Sequence, residues 1–292
     1  MDGLIEELKD KYKLSKEEFE HVQERLIKRA TEKVTTTNNP IVIIIGGQPG
    51  AGKTQLQLSA EKSLNQNAVI CNADNFRDYH PLAKEYRKKY PQYYAEISAP
   101  YSHLWTLALQ KHCREKKLNY ILETTLQNGS GINDTMAAIK AAGFKVELHI
   151  LAVDGRVSFL STEVRYEKMI QKEKSGRIVG KEAHDLRYEA IPNSINLIAK
   201  NKQYDQLKIF GRNIVVSKEG DSNDLYLVTD NPVDPLKEYL TQRNKLWTSL
   251  ENEYFNQKVQ EVISLKVNRN APAQEIESFK AALIFKSRSR RL

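Results

Sequence analysis

Gly47-Gln48-Pro49-Gly50-Ala51-Gly52-Lys53-Thr54 fits the spacing G-x-x-x-x-G-K-[ST]. Glycines at these positions let the backbone wrap closely around an anion, with successive N–H groups turned inward. A helix that follows adds its N-terminal amides and the positive end of its dipole. In such a loop the lysine reaches the β- and γ-phosphates of a nucleotide, and the threonine hydroxyl ligates Mg²⁺. The segment follows the apolar run Ile41–Ile45 and precedes a helical stretch to Leu64. That strand–loop–helix order is the context the chemistry requires. Residues Gly47 to Thr54 are therefore expected to form a P-loop, with ATP or GTP and Mg²⁺ as cofactors.

A phosphate loop specifies the cofactor and leaves the reaction open. The chain has no Asn-Lys-x-Asp guanine motif, and no apolar run ends in Asp-Glu as an ATPase would require. A small-molecule kinase needs instead a base near the acceptor hydroxyl and positive charge around the transferred phosphoryl group. Asp74 lies just past a second apolar run, Ala68–Cys71. That is the sheet edge where α/β ligands bind. It could accept a hydroxyl proton or hold Mg²⁺ through water, or Asn72–Asn75 could simply form an Asx turn or helix cap. Glu123, with Thr124 and Thr125 beyond it, ends a third strand candidate by the same logic. Hydrogen bonds from it to a sugar are one reading, and a solvated strand end is the other. Arg165 sits in a helical stretch and Arg177 in the polar segment Lys174–Gly180. Either could stabilise phosphoryl charge or could stand solvated.

Strand candidates at Ile41–Ile45, Ala68–Cys71, Asn119–Glu123 and Lys145–Val153 alternate with helical patterns. This alternation predicts a parallel α/β sheet. Shorter strand-like pieces follow at Leu207–Phe210, Ile214–Val216 and Tyr226–Val228, and a helix is expected from Pro235 to Ile263. A helical block from Leu82 to Lys116 is expected to be interrupted at Pro91 and Pro100. Residues 1–35 read as helical, and Ser15-Lys16-Glu17-Glu18 has the capping-box spacing. The expected organisation is an N-terminal helical extension at 1–40, a core at 41–230, and a C-terminal helical extension with a basic tail at 231–292.

With 292 residues, 40% hydrophobic and 28% charged, the chain has an ordinary globular balance. No apolar run approaches the ~20 residues of a membrane helix. The acidic N-terminus is unlike a signal peptide, so a soluble cytoplasmic location without membrane contact is expected. Cys71 and Cys113 are expected as reduced core residues rather than a disulfide. A net charge of +8 invites polyanions, but part of it lies in the tail Lys286–Arg291.

The ordered pieces of the chain resemble the zeta toxins, kinases of bacterial toxin–antitoxin systems. The resemblance runs from Ile41 to Ser217. It rests on Gly46–Thr54, Asn72–Phe76 with His80-Pro81, Pro100-Tyr101-Ser102, Ile121–Thr125, Arg165-Tyr166-Glu167, and Arg177 before Ala183-His184-Asp185. It implies a P-loop kinase fold and an ATP- or GTP- and Mg²⁺-dependent kinase acting on the 3′-hydroxyl of UDP-N-acetylglucosamine, starving peptidoglycan synthesis. By resemblance Asp74 is the base, Lys53 and Thr54 hold phosphates and Mg²⁺, and Arg165 and Arg177 stabilise the transferring group. Glu123 and Thr125 bind the nucleotide sugar. The family's Gly-Thr-x-Arg after the glutamate is replaced by Thr124-Thr125-Leu126-Gln127, and a second family carboxylate falls at Leu107.

Two other readings compete. One keeps the kinase and changes the acceptor to an antibiotic hydroxyl or a polynucleotide end, although nucleic acid is not the expected partner. The other is a non-catalytic, nucleotide-dependent effector. Since a family antitoxin acts by covering the nucleotide site with a helix, residues 1–35 either do so in cis or pack on the core, leaving the role to a separate antitoxin.

Overall fold

A computed structural model describes residues 2–173, 178–215 and 224–283. Its organising element is β1 (Ile41–Gly46), whose sequence Ile-Val-Ile-Ile-Ile-Gly is buried on both faces. Such β-branched residues favour extended backbone, and both faces must then be covered by helices. β1 pairs in parallel with β3 (Tyr120–Thr124) on one side and β4 (Lys145–Leu151) on the other. β2 (Val69–Cys71), β5 (Gln206–Arg212) and β6 (Leu225–Asp230) complete a six-stranded sheet of order β2-β3-β1-β4-β5-β6.

The parallel sheet expected from the alternation is realised in β2, β3, β1, β4 and β5, and β6 adds one edge strand that runs antiparallel to β5. An antiparallel pair can be joined by a short connection, whereas a parallel pair requires a crossover of a dozen or more residues. The strand-like piece at Ile214–Val216 is not a strand in its described part: residues 214 and 215 form a bend. Val216 lies outside the described residues.

The two faces of β1 alternate as the pleat dictates. Val42 and Ile44 join the larger core, formed with α5 (Tyr94–Glu115), α6 (Gly129–Ala141) and α8 (Lys181–Asn201). Ile43 and Ile45 pack with α3 (Lys53–Ser63) and the start of α7 (Gly155–Glu173). Each fully buried side chain of this kind contributes about 1.5–3 kcal/mol. Cys71 and Cys113 are buried and unbridged.

Pro100 does not interrupt the helical block as expected, for α5 runs through it. It forgoes only the bond to the carbonyl four residues earlier, early in a 22-residue helix anchored by Ile97, Trp105 and Leu109. Pro91 behaves as expected and opens a short 3-10 turn that separates α4 (Ala83–Lys89) from α5.

Of the N-terminal helices α1 (Asp2–Lys11) and α2 (Lys16–Thr31), the second starts with the realised Ser15–Glu18 capping box. Val22 and Leu26 enter the larger core, while Leu8 and Tyr12 pack with Ala83, Tyr86 and Ile97. These helices thus pack on the core, on the side of β2 and α5.

The single helix expected from Pro235 to Ile263 is two: α9 (Pro235–Arg243) and α10 (Ser249–Asn268). Thr248 and Glu251 form a capping box that starts α10 afresh. α11 (Ala273–Ala282) follows. The basic tail lies outside the described residues. A buried ionic cluster ties this C-terminal pair to α7: Lys266 Nζ meets Glu163 at 2.9 Å, Glu167 at 2.8 Å and Glu275 at 2.9 Å. The Arg156 guanidinium also stacks on Trp247, 3.8 Å from the ring centre.

Candidate active site

β1, β2 and β3 end side by side. Gly46 is level with Thr124, Ile45 with Glu123, and Cys71 with Leu122. The P-loop, the Asn72–Asp74 segment and Glu123 are therefore delivered to one edge of the sheet, the position where ligands bind in α/β folds.

Gly50 and Gly52 adopt φ of +77° and +106°. Gly50 has no room for a side chain, because a Cβ there would lie 1.9 Å from the Ser158 carbonyl oxygen. Gly52 starts α3, whose first turn carries no acidic residue. The loop is thus shaped and polarised for an anion. Gln48 is fully buried, and its Nε2 donates to the Val153 carbonyl at 2.9 Å and to Ser158 Oγ at 3.2 Å. Ser158 Oγ in turn meets His184 Nε2 at 2.9 Å, and His184 Nδ1 meets Asp185 at 3.0 Å. This serine, histidine and aspartate brace the loop; with Ser158 fully buried, they do not form a nucleophilic triad. The Arg212 guanidinium donates to the Gly50 carbonyl at 3.1 Å and to Ser161 Oγ at 3.0 Å.

Lys53 Nζ donates to the Gly47 carbonyl at 2.9 Å and the Gln48 carbonyl at 3.2 Å, and lies 3.7 Å from Glu123 Oε1. Burial pushes the Lys53 ammonium below its ordinary value, with Glu123 opposing. Burial likewise raises the Glu123 carboxyl, with Lys53 opposing. Glu123 Oε2 accepts from Asn72 Nδ2 at 3.0 Å, and Asn72 Oδ1 accepts from the Asp74 amide at 3.0 Å. A continuous chain of contacts therefore links the P-loop lysine to Asp74.

The Asx-cap reading of Asn72–Asn75 is realised at the backbone, since Asn72 caps the 3-10 segment Ala73–Tyr79. The Asp74 carboxylate is a separate matter. It is half-exposed and held by Arg77, whose Nε and NH2 each lie 2.9 Å from Oδ1. Arg77 is itself pinned to the Ala95 carbonyl at 2.6 Å and Ser98 Oγ at 3.0 Å.

Arg165 is exposed on α7, near enough that its charge acts on both Lys53 and Glu123. Thr54 is exposed at the start of α3, and Thr125 is half-buried beyond β3. Gln127 is exposed, and Leu107 stands 47% exposed on α5. Arg177 lies outside the described residues. The structure thus brings Lys53, Asp74, Glu123 and Arg165 into one electrostatic neighbourhood. Sequence reasoning missed Arg77, Asn72 as a bridge, Arg212, and the Ser158–His184 brace. Only Arg77 left a local signal, its three-residue spacing from Asp74.

Comparison with known proteins places this geometry. The zeta toxin family model matches residues 24–229. Toxin zeta of Streptococcus agalactiae is 27% identical over 199 residues, covering 68% of this chain and 69% of that protein. Toxin PezT of Streptococcus pneumoniae is 27% identical over 237 residues, covering 81% and 90%. A solved structure from the PezAT chromosomal toxin–antitoxin system of Streptococcus pneumoniae superposes with a TM-score of 0.76 at 23% identity, over 86% of this chain and 98% of its own. That likeness shows a P-loop kinase fold. The AvrRxo1-ORF1:AvrRxo1-ORF2 structure with ATP has the same fold more distantly, with a TM-score of 0.55 at 14% identity, over 91% and 84%. With its phosphate loop, sheet order and matched span taken together, the chain belongs to the zeta toxin family.

Proposed function

We propose that the chain is an ATP- or GTP-dependent kinase that phosphorylates a sugar hydroxyl of a nucleotide sugar. UDP-N-acetylglucosamine, at its 3′-hydroxyl, is the leading acceptor. The observation that carries this reading is the contact chain from Lys53 through Glu123 and Asn72 to Asp74. It ties the cation for the donor phosphates to the backbone of Asp74 at one sheet edge, and Arg77 holds the Asp74 carboxylate that takes the acceptor proton. Asp74 takes the proton from the sugar hydroxyl as its oxygen attacks the γ-phosphorus, and the bond to the leaving diphosphate breaks. Lys53 exchanges its loop carbonyls for phosphate oxygens. Arg165 and Arg177 spread the charge of the transferring group, and Glu123 with Thr125 orients the sugar. Thr54 is the residue to hold Mg²⁺, with carboxylates reached through water. These hard oxygen donors suit that ion, which when bound neutralises phosphate charge.

Activity of this kind would make the chain a toxin against cell-wall synthesis, with a separate antitoxin as partner. That pairing is supported by its likeness to Toxin PezT and to a structure from the PezAT toxin–antitoxin system. Because α1 and α2 pack on the core beside α5 and β2, we assign inhibition to the separate partner rather than to residues 1–35.

The test is transfer from γ-labelled ATP and GTP to UDP-N-acetylglucosamine and a panel of nucleotide sugars. Label is expected on UDP-N-acetylglucosamine and lost by about 10²-fold or more in Asp74→Ala. Undiminished transfer by that variant would remove Asp74 as the base. Label on a different nucleotide sugar would make exposed Gln127 and Leu107 the marks of a changed acceptor pocket.

A further inference from the structure

Arg165 stands midway between Glu163 and Glu167 on α7. At about 3.6 residues per turn the two glutamates share one face of the helix, and Arg165 lies on the other. Both carboxylates are buried, whereas Arg165 is exposed. Lys266 of α10 bonds Glu163 at 2.9 Å and Glu167 at 2.8 Å. Arg269, at the end of α10, donates to both oxygens of Glu167, at 2.8 Å and 3.0 Å. We infer that Lys266 and Arg269 are positioning residues for phosphoryl transfer, holding α7 from its buried face so that Arg165 is presented to the transferring group. The assignment rests on the kinase reading above, and both residues lie beyond the span matched to the family, 24–229.

The first turns of α7 lie against the P-loop, where Ser158 accepts from Gln48 and a Cβ on Gly50 would meet Thr162 Cγ2 at 2.9 Å. The ionic cluster grips the next turns, and Arg165 projects from the gripped segment. Phe159 and Leu160 also pack on Val262 and Phe279 of the C-terminal helices. Such apolar contact is non-directional and leaves α7 free to roll or slide. Lys266 bridges carboxylates one helical turn apart, so its bonds fix both the height and the rotation of α7. Buried ions of this kind add little stability over apolar packing and are suited to fixing a register. Glu275 of α11 closes the cluster, accepting from Lys266 at 2.9 Å and pairing with Arg269. The product is a guanidinium whose charge acts on both Lys53 and Glu123. Charge stabilisation in phosphoryl transfer depends on such placement, and a shift of about 1 Å can cost about 10²-fold in rate.

The experiment is a double-mutant cycle between Lys266 and Arg165 in the full chain. It reads kcat and KM for loss of the labelled γ-phosphate of ATP, with Mg²⁺ and UDP-N-acetylglucosamine present. Lys266→Met is expected to lower kcat about tenfold and to leave the KM for ATP within about twofold. Arg165→Ala removes the group being positioned and should lower kcat about 10²-fold or more. In that background Lys266→Met should change kcat by less than about twofold, because the two residues act as one unit. Arg269→Gln is the gentler variant, since it breaks the paired grip on Glu167 and keeps Lys266. It should repeat the pattern with a loss of about three- to fivefold. Thermal melts fix an assay temperature below the transition of every variant. A loss of the same size in the wild-type and Arg165→Ala backgrounds would mark a merely structural role and overturn the assignment. So would an unchanged kcat in the Lys266 and Arg269 variants, or in Arg165→Ala itself. Each of those results leaves the kinase reading standing. No loss of γ-phosphate with the wild type would remove that reading and this inference together.

Discussion

Lys53 Nζ lies 3.7 Å from Glu123 Oε1, although burial disfavours the charge on each. The pair joins the phosphate loop to the end of β3, and neither charge has much solvent to replace the other. Lys53→Ala is therefore expected to abolish nucleotide binding and to leave Glu123 buried without its cation. Titration with ATP and a pH series of thermal melts check both effects. In the variant the Glu123 carboxyl should rise further, so the stability lost as pH climbs upward from the ordinary carboxylate range should be larger than in wild type.

Arg77 acts on Asp74 from a position pinned to helix α5. We assign it a positioning role. Arg77→Ala should lower kcat about 10–100-fold with little change in the KM for nucleotide, and Arg77→Lys should recover only part. A purely structural contribution would instead lower the Tm without separating kcat from KM.

Gly50→Ala combines a positive φ with a Cβ 1.9 Å from the Ser158 carbonyl oxygen. The loop cannot hold its shape with that atom present, so a loss of about 3 kcal/mol or more is expected, together with loss of tripolyphosphate binding. A Tm and a binding constant equal to wild type would refute the loop geometry.

Lys266 is 1% exposed and holds the carboxylates of Glu163, Glu167 and Glu275. Burial alone would depress its ammonium, but the hydrogen bonds it donates to Glu167, Glu163 and Glu275 outweigh that and raise it. Lys266→Met should cost about 3–5 kcal/mol, because it strands buried carboxylates. Adding Glu163→Gln and Glu167→Gln should recover part of that loss, which denaturant unfolding would measure.

Glu147 accepts from His149 Nε2 at 3.2 Å and lies near Lys145 and Lys208. These contacts, the histidine bond foremost, outweigh partial burial and lower its carboxyl to about 2. A depressed native value contributes stability that is present above the ordinary carboxylate range. That stability is lost as pH falls from about 4.5 toward 2. Glu147→Gln should therefore unfold more easily at neutral pH, by about 1–3 kcal/mol, and the gap should close across that window.

Much of the site was legible in the sequence because its signals are local. The P-loop is a run of eight consecutive residues in which glycine and lysine have fixed mechanical tasks, and β1 before it is apolar throughout. The same holds for the Ser15 capping box, where residues three apart meet on one helical turn. Elements went wrong where a local signal was weighed without its surroundings. Pro100 reads as a stop, yet α5 carries it because its neighbours are buried. Residues 235–263 read as one helix, but a second capping box divides them.

What the sequence determined by itself was the phosphate loop, the α/β class and the carboxylates at strand ends, since each depends on residues adjacent in the chain. The tertiary structure alone decided that Glu123 meets Lys53 across 70 positions of sequence, through the register of β3 on β1. It alone decided that Arg212 reaches Gly50 across 162 positions and that Lys266 of α10 holds Glu163 and Glu167 of α7. These contacts follow from strand order and helix packing, which bring distant residues together without leaving a mark in their local spacing.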